Sequence, residues 1–282
     1  MSQPEVSLSG AAPVLPGPAR VARRPWRLGA SGLSSWAAPL GLLAVWELAA
    51  RVGWIEPSLL PAPSNVLATA QNLLVTGELQ QNLAASLRRA LAGFVLGGSS
   101  GLALGLVVGL FRWADLLFDR NVQMLRAVPF LAILPLVLVW FGVGEVGKVF
   151  LVALASMFPL YLNTVLGIRQ VDPRLCEMCR VFGLGRAEVV RYAVLPGALP
   201  SILNGVRLAL TTSWLALVGA ESIGAAAGIG VLATNAREFL QTDIMVLVIV
   251  LYALIGLLSD LVARRLERRL LGWHPNFAGP RT

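Results

Sequence analysis

The sequence predicts an all-α integral membrane protein of about six transmembrane helices, with a short polar helical segment between the fourth and the fifth. Composition is the first observation: the 282 residues are 56% hydrophobic and 13% charged, whereas soluble domains carry about a quarter charged residues. The second is the recurrence of apolar runs long enough to cross a bilayer as helices. The third is the net charge of +8, because the arginines gather in particular loops, as the positive-inside rule describes.

The N-terminal region divides into a tail and a first crossing. Residues 1–31 are predicted to be a disordered cytoplasmic tail, rich in Pro, Ala, Gly and Ser, with arginines gathered before the first apolar run. They resemble a secretory signal, but no clear small-residue cleavage site follows. The first span covers 36–52 and contains Glu47. An amphipathic helix capped by Ser64 is predicted to follow in the outer interface. The first span and this interfacial segment together form the region of residues 32–78.

The second span, 87–111, opens a transmembrane core of residues 79–263 and carries a stripe of glycines. The stripe consists of Gly93, Gly97, Gly101, Gly105 and Gly109. Their interval of four places them on one helix face, which predicts that another helix packs closely against it, within the chain or between subunits. Arg88 and Arg89, at the outer end of this span, oppose the positive-inside rule.

The other spans are interrupted by prolines. They are predicted at 129–143, 146–168, 202–220 and 244–262. A polar loop, 112–128, precedes the third span. Pro135 and Pro159 lie inside the third and fourth spans, where we interpret them either as kinks that line a pathway or as packing kinks. Glu221, Gly228 and Gly230 follow the fifth span, and the sequence indicates no role for them.

The distribution of basic residues predicts which side is the cytoplasm. Six crossings place both termini and the polar segment 171–200 on one side. That side carries most of the 23 basic residues, and the excess identifies it as cytoplasmic. Residues 264–282 are therefore predicted to be a cytoplasmic C-terminal tail.

The polar segment itself predicts two short helices. Asp172 and Pro173 supply an N-cap acceptor and the residue favoured at the first helical position. Gly183 can adopt the left-handed conformation that ends the first helix. The second helix, 186–194, is predicted to stop at Pro196. The membrane-embedded chain thus presents an arginine-decorated helix–turn–helix to another protein.

Two motifs suggest nucleic-acid or nucleotide binding, and both are rejected. GVGEVGK, residues 142–148, resembles a phosphate loop. Val149 follows where a magnesium-binding hydroxyl belongs, and the run joins two membrane spans instead of a strand and a helix. The helix–turn–helix resembles a DNA reader, but a helix tethered to the bilayer at both ends cannot enter a major groove.

Cys176 and Cys179 are the two cysteines of the chain and have CxxC spacing. Zinc requires four ligands, and the one histidine, His274, lies far along the chain. We interpret both cysteines as reduced packing residues on a cytoplasmic helix. No metal site, cofactor or catalytic residue is predicted.

The polar segment resembles the EAA loop of the inner-membrane permease subunits of ABC importers, whose pattern is E-A-A-x3-G-x9-I-x-L-P. Glu177, Gly183, Leu195 and Pro196 match it, whereas Met178, Cys179 and Ala193 replace the two alanines and the isoleucine. The resemblance implies that the segment is the coupling helix, which docks into a cleft on a cytoplasmic ATPase subunit. It assigns ATPase coupling to six residues, Glu177, Met178, Cys179, Gly183, Leu195 and Pro196. Glu177 would face basic or amide groups, while Leu175, Met178 and Val181 would fill the groove.

Three further stretches are similar to the aliphatic-sulfonate branch of these permeases, which neighbours the taurine and nitrate permeases. They are ILPLVLVWFG (133–142), LPGALPSILNGVR (195–207) and NAREFLQTD (235–243). The resemblance covers the chain from about residue 36 onward. It implies a homodimeric inner-membrane permease for aliphatic sulfonates, with the pathway at the subunit interface. Its partners would be two ATPase copies and an extracytoplasmic binding protein. Taurine, nitrate or another small oxyanion is the alternative substrate.

Two other classes of protein remain as alternatives. An integral-membrane enzyme requires polar residues that converge at one membrane depth, and the single histidine and scarce acids argue against it. A stand-alone secondary transporter is often built from inverted repeats. We find no such repeat, and a free transporter would not need a docking segment.

Overall fold

The structure is a computed structural model that describes residues 32–273. The predicted tail 1–31 and the end of the C-terminal tail, including His274, lie outside the described residues. Among the described residues, the chain divides after Val45 into two compact units. Helix α1 begins in the first unit and ends in the second, and all later helices belong to the second unit, which is described by itself below.

The prediction of an all-α fold is confirmed, and the described residues contain no strand. The helices are α1 (Gly32–Arg51), α2 (Pro63–Val75), α3 (Glu78–Leu110), α4 (Arg112–Ala127), α5 (Phe130–Phe141), α6 (Glu145–Arg169), α7 (Pro173–Val181), α8 (Arg186–Glu221), α9 (Ile229–Glu238) and α10 (Thr242–Leu270). Two of them contain a π-helical turn, Asp115–Asp119 in α4 and Val190–Val194 in α8.

The number of crossings is lower than predicted when it is counted from helix length and apolarity. Among the described residues, α3, α6, α8 and α10 are long and apolar enough to cross a membrane. A fifth crossing results if α4 and α5, which meet at a bend of 104°, form one broken span. The first predicted span, 36–52, coincides with α1, which is helical over 20 residues.

Two local predictions are wrong. Residues 112–128 are not a loop, because α4 occupies almost all of this stretch. Ser64 is not the cap of α2: Ala62 holds the N-cap position and Pro63 the first helical position. The N–H and hydroxyl of Ser64 instead donate to the Glu47 carboxylate, at 3.0 and 2.8 Å. The acidic side chain of α1 therefore neutralises the exposed amide end of α2.

The glycine stripe of α3 lies against α6. A Cβ atom added at Gly93 would lie 2.5 Å from the Val152 side chain, and one at Gly105 would lie 2.7 Å from Thr164. Gly109 faces Ile168 in the same way. Residue numbers rise together along both helices, so α3 and α6 run parallel.

This parallel packing defines two ends of the bundle. The α7 end holds Leu110, Arg169 and helix α7, and the opposite end holds the first residues of α3 and α6. Helix α8 returns antiparallel to α6, because Gly205 faces Asn163 whereas Leu217 packs near Val152. Pro159 lies inside α6 and Pro135 inside α5, as predicted.

We expect Gly97→Leu to lower the free energy of unfolding by about 3 kcal/mol, because overpacking forces well-packed helices apart. A Cβ atom at Gly97 would overlap the Ala153 backbone, which cannot rotate away. Unfolding of the purified protein in mixed detergent–SDS micelles measures the change. Gly256→Leu is the matched control: Gly256 is also inside a membrane-spanning helix, but nothing lies within 4 Å of its Cβ position. Equal destabilisation by both variants would contradict a special role for the stripe.

Candidate functional site

Helix α7 and its turn project from the end of the bundle as a well-defined hairpin. The Asp172 carboxylate accepts a hydrogen bond from the N–H of Arg174 at 2.9 Å, and Pro173 occupies the first helical turn. Both features of the predicted start of α7 are therefore confirmed.

The end of α7 is a Schellman motif. Gly183 has a φ of +82°, and its N–H donates to the Arg180 carbonyl at 2.9 Å. The N–H of Leu184 donates to the Cys179 carbonyl at 3.1 Å. These two bonds satisfy carbonyls that would otherwise lack partners, and the left-handed conformation explains why glycine suits this position. Apart from Gly183 and its two chain neighbours, no atom of the described residues lies within 4 Å of a Cβ atom placed on Gly183, so the space beneath the turn is open.

The outer face of α7 is apolar and exposed. Val181 is 85% exposed and Phe182 76%, and Leu175, Met178 and Glu177 are exposed beside them. Such a concentration of exposed apolar side chains on one short helix is typical of a surface that another protein covers.

The inner face of α7 packs onto the bundle. Cys176, Cys179 and Leu184 contact a buried cluster formed by Ile168 of α6 and by α8. In α8 the members of this cluster are Val189, Val194 and Ala198. Cys179 therefore lies between α7 and the bundle, whereas Glu177 and Met178 lie on the exposed face. Both cysteines are free thiols.

The predicted stop at Pro196 is wrong, because α8 continues from Arg186 to Glu221 without a break. Proline lacks an N–H and its ring clashes with the carbonyl four residues earlier, which normally ends a helix. Here the π-helical turn Val190–Val194 precedes Pro196 and changes the hydrogen-bond register. Leu195 and Pro196 consequently lie within one long helix, α8, which connects the hairpin to the opposite end of the bundle.

Two further bonds join α4 to α6 at the α7 end. Arg169 forms an ion pair with Asp115 at 2.5 Å, and the Tyr161 hydroxyl donates to Asp119 at 2.7 Å. Both acceptors lie in the π-helical turn of α4. The stretch that the sequence presented as a polar loop is thus tied to the helix that leads into α7.

The opposite end contains a buried ionic network that the sequence analysis missed. Arg89 of α3 is 6% exposed and Glu221 of α8 is 1% exposed. One guanidinium nitrogen of Arg89 donates to Glu221 at 2.7 Å and to the Ala227 carbonyl at 2.5 Å. Its other two nitrogens donate to both oxygens of Glu145, at 2.5 and 2.7 Å. One arginine therefore joins α3, α6 and α8.

The Glu221 carboxylate is also satisfied by uncharged donors. The Ser86 hydroxyl lies 2.7 and 2.8 Å from its two oxygens, and the N–H of Gly230 donates at 2.9 Å. The N–H of Gly228 donates to Asn82 at 2.6 Å. The N–H groups at the start of α9 thus donate to buried acceptors. The negative charge of Glu221 is favourable there, because the N-terminus of a helix carries a partial positive charge.

These contacts explain why glycines occupy positions 228 and 230. A Cβ atom at Gly228 would lie 2.5 Å from the carboxyl group of Glu221, and one at Gly230 would lie 2.6 Å from the Cβ of Glu221. Gly228 also has a φ of +145°. The signal available in the sequence was Arg89, whose position opposed the positive-inside rule. Its partners lie 56 and 132 residues away and could not be identified from the sequence.

No group of three or more metal-binding side chains occurs within residues 32–273, where the structure describes the chain.

We expect Arg89→Met to lower the free energy of unfolding by about 3–5 kcal/mol, because the buried carboxylate of Glu221 loses its charged partner. The double variant Arg89→Met/Glu221→Met should regain a large part of this loss, since it buries no unpaired charge. Thermal unfolding in detergent compares the variants. Arg88→Met is the control, because Arg88 is exposed and its one hydrogen bond among the described residues goes to the Ala84 carbonyl of the same helix. A double variant no more stable than Arg89→Met would contradict this interpretation of the network.

Comparison with known proteins agrees with the resemblance found in the EAA-like residues. Residues 101–272 match the family described as binding-protein-dependent transport system inner membrane component. The "Putative aliphatic sulfonates transport permease protein SsuC" of Escherichia coli (strain K12) is 52% identical over 245 residues, which are 87% of this chain and 93% of that protein. The protein of the same name from Bacillus subtilis (strain 168) is 39% identical over 92% of this chain and 94% of its own length. The taurine transport system permease protein TauC of Escherichia coli (strain K12) is 37% identical over 83% and 86%.

Solved structures support the fold. One chain of an amino acid ABC transporter superposes with a TM-score of 0.58 at 20% identity, over 72% of this chain and 96% of its own. A chain of the MetNI methionine ABC transporter in an inward facing conformation superposes with a TM-score of 0.53 at 20% identity, over 66% and 94%. The family match and the extent of identity lead to one conclusion: this chain belongs to the family of binding-protein-dependent transport system inner membrane components.

Proposed function

We propose that this chain is the permease subunit of an ABC importer that moves aliphatic sulfonates across the inner membrane. The observation that carries the substrate class is the degree of likeness to the two SsuC proteins. Identity is 52% and 39% with them and 37% with TauC. Taurine is itself a small sulfonate, so all three names point to one chemical group, an alkyl chain ending in a sulfonate anion.

The coupling role is assigned to the hairpin of α7 and the start of α8. Its exposed apolar face, with Met178 and Val181, would fill a groove on the ATPase subunit, and Glu177 would meet basic or amide groups there. Cys179 acts from the inner face, where it transmits movement of α7 to the bundle. Gly183 closes the turn without a side chain beneath the partner.

The structure of the hairpin suits the transmission of force. Its inner face packs on α6 and α8, and α8 runs unbroken past Leu195 and Pro196 to the opposite end. A displacement of α7 by the ATPase would therefore move two membrane helices together, which is the kind of rigid-body change that alternating access requires.

The remaining features of the importer follow from this assignment. Both termini and α7 lie in the cytoplasm, on the arginine-rich side. A second copy of the chain completes the pathway, and an extracytoplasmic binding protein delivers the substrate. ATP hydrolysis takes place on the partner subunits, so this chain needs no cofactor and performs no chemistry of its own.

A permease subunit of the same kind of ABC importer with a different substrate is the second candidate function. The likeness to TauC supports taurine, and nitrate or another small oxyanion is the further alternative. A stand-alone secondary transporter is the candidate of a different class, and it would function without any ATPase.

We expect a strain that lacks this gene to lose growth on ethanesulfonate as the sole sulfur source and to keep growth on sulfate. Growth on taurine as a sulfur source and on nitrate as a nitrogen source tests the alternatives. A defect confined to nitrate would overturn the substrate class and leave the permease role standing. Normal growth in every medium would overturn the proposed cargo.

We expect Gly183→Trp to abolish complementation of this strain, because the indole would lie between the turn and the ATPase. Gly77→Trp is a matched control. Gly77 also has a positive φ, +81°, with nothing within 4 Å of its Cβ position, but it lies at the opposite end of the bundle before α3. Loss of function in both variants would indicate backbone strain alone, and growth of the Gly183→Trp strain would contradict the coupling assignment.

We expect Val181→Asp to reduce co-purification of the ATPase subunit at least about tenfold, because it places a charge in an apolar interface. Val75→Asp is the control, since Val75 is likewise the last residue of a short helix and is 88% exposed, against 85% for Val181. Immunoblots of membranes would establish that both variants insert. If the Val181→Asp variant still co-purifies with the ATPase, the ATPase docks on another surface. If the chain transports substrate with no ATPase present, it is a secondary transporter.

A further inference from the structure

A large groove lies between the helices on one side of the bundle. Its volume is about 700 Å³, and it is lined by the junction of α4 and α5 together with α6 and α8. Pro159, one of the two prolines inside the predicted spans, lies in its wall. A groove of this size accommodates a small organic molecule.

The lining is apolar with three exceptions, Arg126, Asn163 and Thr212. Two of the three use their polar groups within the bundle. The Asn163 amide donates to the Pro159 carbonyl at 2.8 Å and accepts from Asn204 at 3.0 Å. The Thr212 hydroxyl lies 3.0 Å from the Ala155 carbonyl. Among the described residues, Arg126 forms no hydrogen bond or ion pair, so its five N–H donors are available to a ligand.

Arg126 lies on the α7 side of the bend between α4 and α5. Val122, one turn earlier in α4, packs against Tyr161 and Val165 in the second half of α6. Ile133, beyond the bend, belongs instead to a cluster with Leu151 in the first half of α6. The positive charge therefore lies at one end of an apolar groove.

We propose that Arg126 receives the anionic group of the substrate in transit, while the alkyl chain of the substrate lies in the groove. This inference rests on the proposed function, because it assigns the two parts of an alkanesulfonate to two parts of one site. A guanidinium matches an oxyanion well, since its planar fork can donate to two oxygens at once. The apolar walls remove the alkyl chain from water and contribute in proportion to its buried area.

The position of the positive charge determines where in the groove the anionic group of the substrate is stabilised. An apolar groove alone opposes the passage of an anion, because burial of an unpaired charge is costly. A cation at the α7 end offsets this cost where the anion approaches that end. Arg126 would thus act as a specificity-determining residue for anionic substrates and would leave the coupling hairpin unaffected.

The experiment uses the complete importer, with permease, ATPase and binding protein, reconstituted in vesicles. Initial uptake of radiolabelled ethanesulfonate and hexanesulfonate is measured for the wild type, Arg126→Gln, Arg126→Lys and Arg120→Gln. We expect Arg126→Gln to lower uptake of both compounds about fivefold, with Arg126→Lys intermediate. Arg120 is the matched control, since it lies on the same helix, is exposed and does not line the groove. ATPase co-purification should be unchanged in all variants, because none of them alters the coupling hairpin.

A second variant tests the apolar part of the site separately. Ala155→Leu narrows the groove from the α6 side, and we expect it to reduce uptake of hexanesulfonate more than that of ethanesulfonate. Ala253→Leu, on the exposed surface of α10, should change neither.

Three results would overturn the inference. If Arg126→Gln and Arg120→Gln lowered sulfonate uptake equally, the charge at the groove would have no specific role in uptake. A loss that disappears in vesicles without anionic lipid would assign Arg126 to lipid headgroups. Ala155→Leu acting equally on both chain lengths would exclude the groove as the site of the alkyl chain. Failure of the wild type to take up any sulfonate would instead overturn the proposed function itself.

Discussion

The close backbone contact between α3 and α6 is the constraint on which the rest of the structure depends. Inside a bilayer the hydrophobic effect does not drive helices together, so dispersion at short distance and interhelical hydrogen bonds must hold them. Gly93, Gly97 and Gly105 allow this approach because they present no side chain where α6 passes. The parallel register that results brings Arg89 of α3 to Glu145 of α6 at one end, and at the other end Asp115 of α4, the helix that follows α3, pairs with Arg169 of α6. The α3–α6 pair is thus closely packed along its length, with an ion pair to α3 at one end of α6 and an ion pair to α4 at the other.

The two ends of this unit are built in opposite ways. At the opposite end, Arg89 and Glu221 are buried and almost fully hydrogen-bonded, so their geometry resists change. At the α7 end, the hairpin exposes apolar side chains such as Val181 to its surroundings. In the proposed coupling, a partner would bind the exposed end and α8 would transmit the displacement toward the buried end, because the helix stays continuous through the π-helical turn before Pro196. The long helix α8 therefore connects the exposed hairpin to the buried ionic network of Arg89 and Glu221.

The groove with Arg126 lies between these two ends and shares walls with both α6 and α8. A movement of α8 relative to the junction of α4 and α5 changes the shape of the groove directly. The proposed coupling and the proposed substrate recognition thus involve the same two helices, α6 and α8, but different residues.

The sequence by itself determined the features that depend on neighbouring residues. Apolar runs predict helices, and the interval of four aligns the glycines on one face. Asp172 and Gly183 define the ends of α7 through local hydrogen bonds, and Pro173 through its fixed backbone conformation. Tertiary structure alone decided the partners of Arg89, because Glu145 and Glu221 lie 56 and 132 residues away and no local pattern links them. It also decided that α8 passes through Pro196, since a change of helical register is a response to packing and not a property of composition. The placement of Arg126 at an apolar groove has the same origin: only the folded chain brings four helices to one surface.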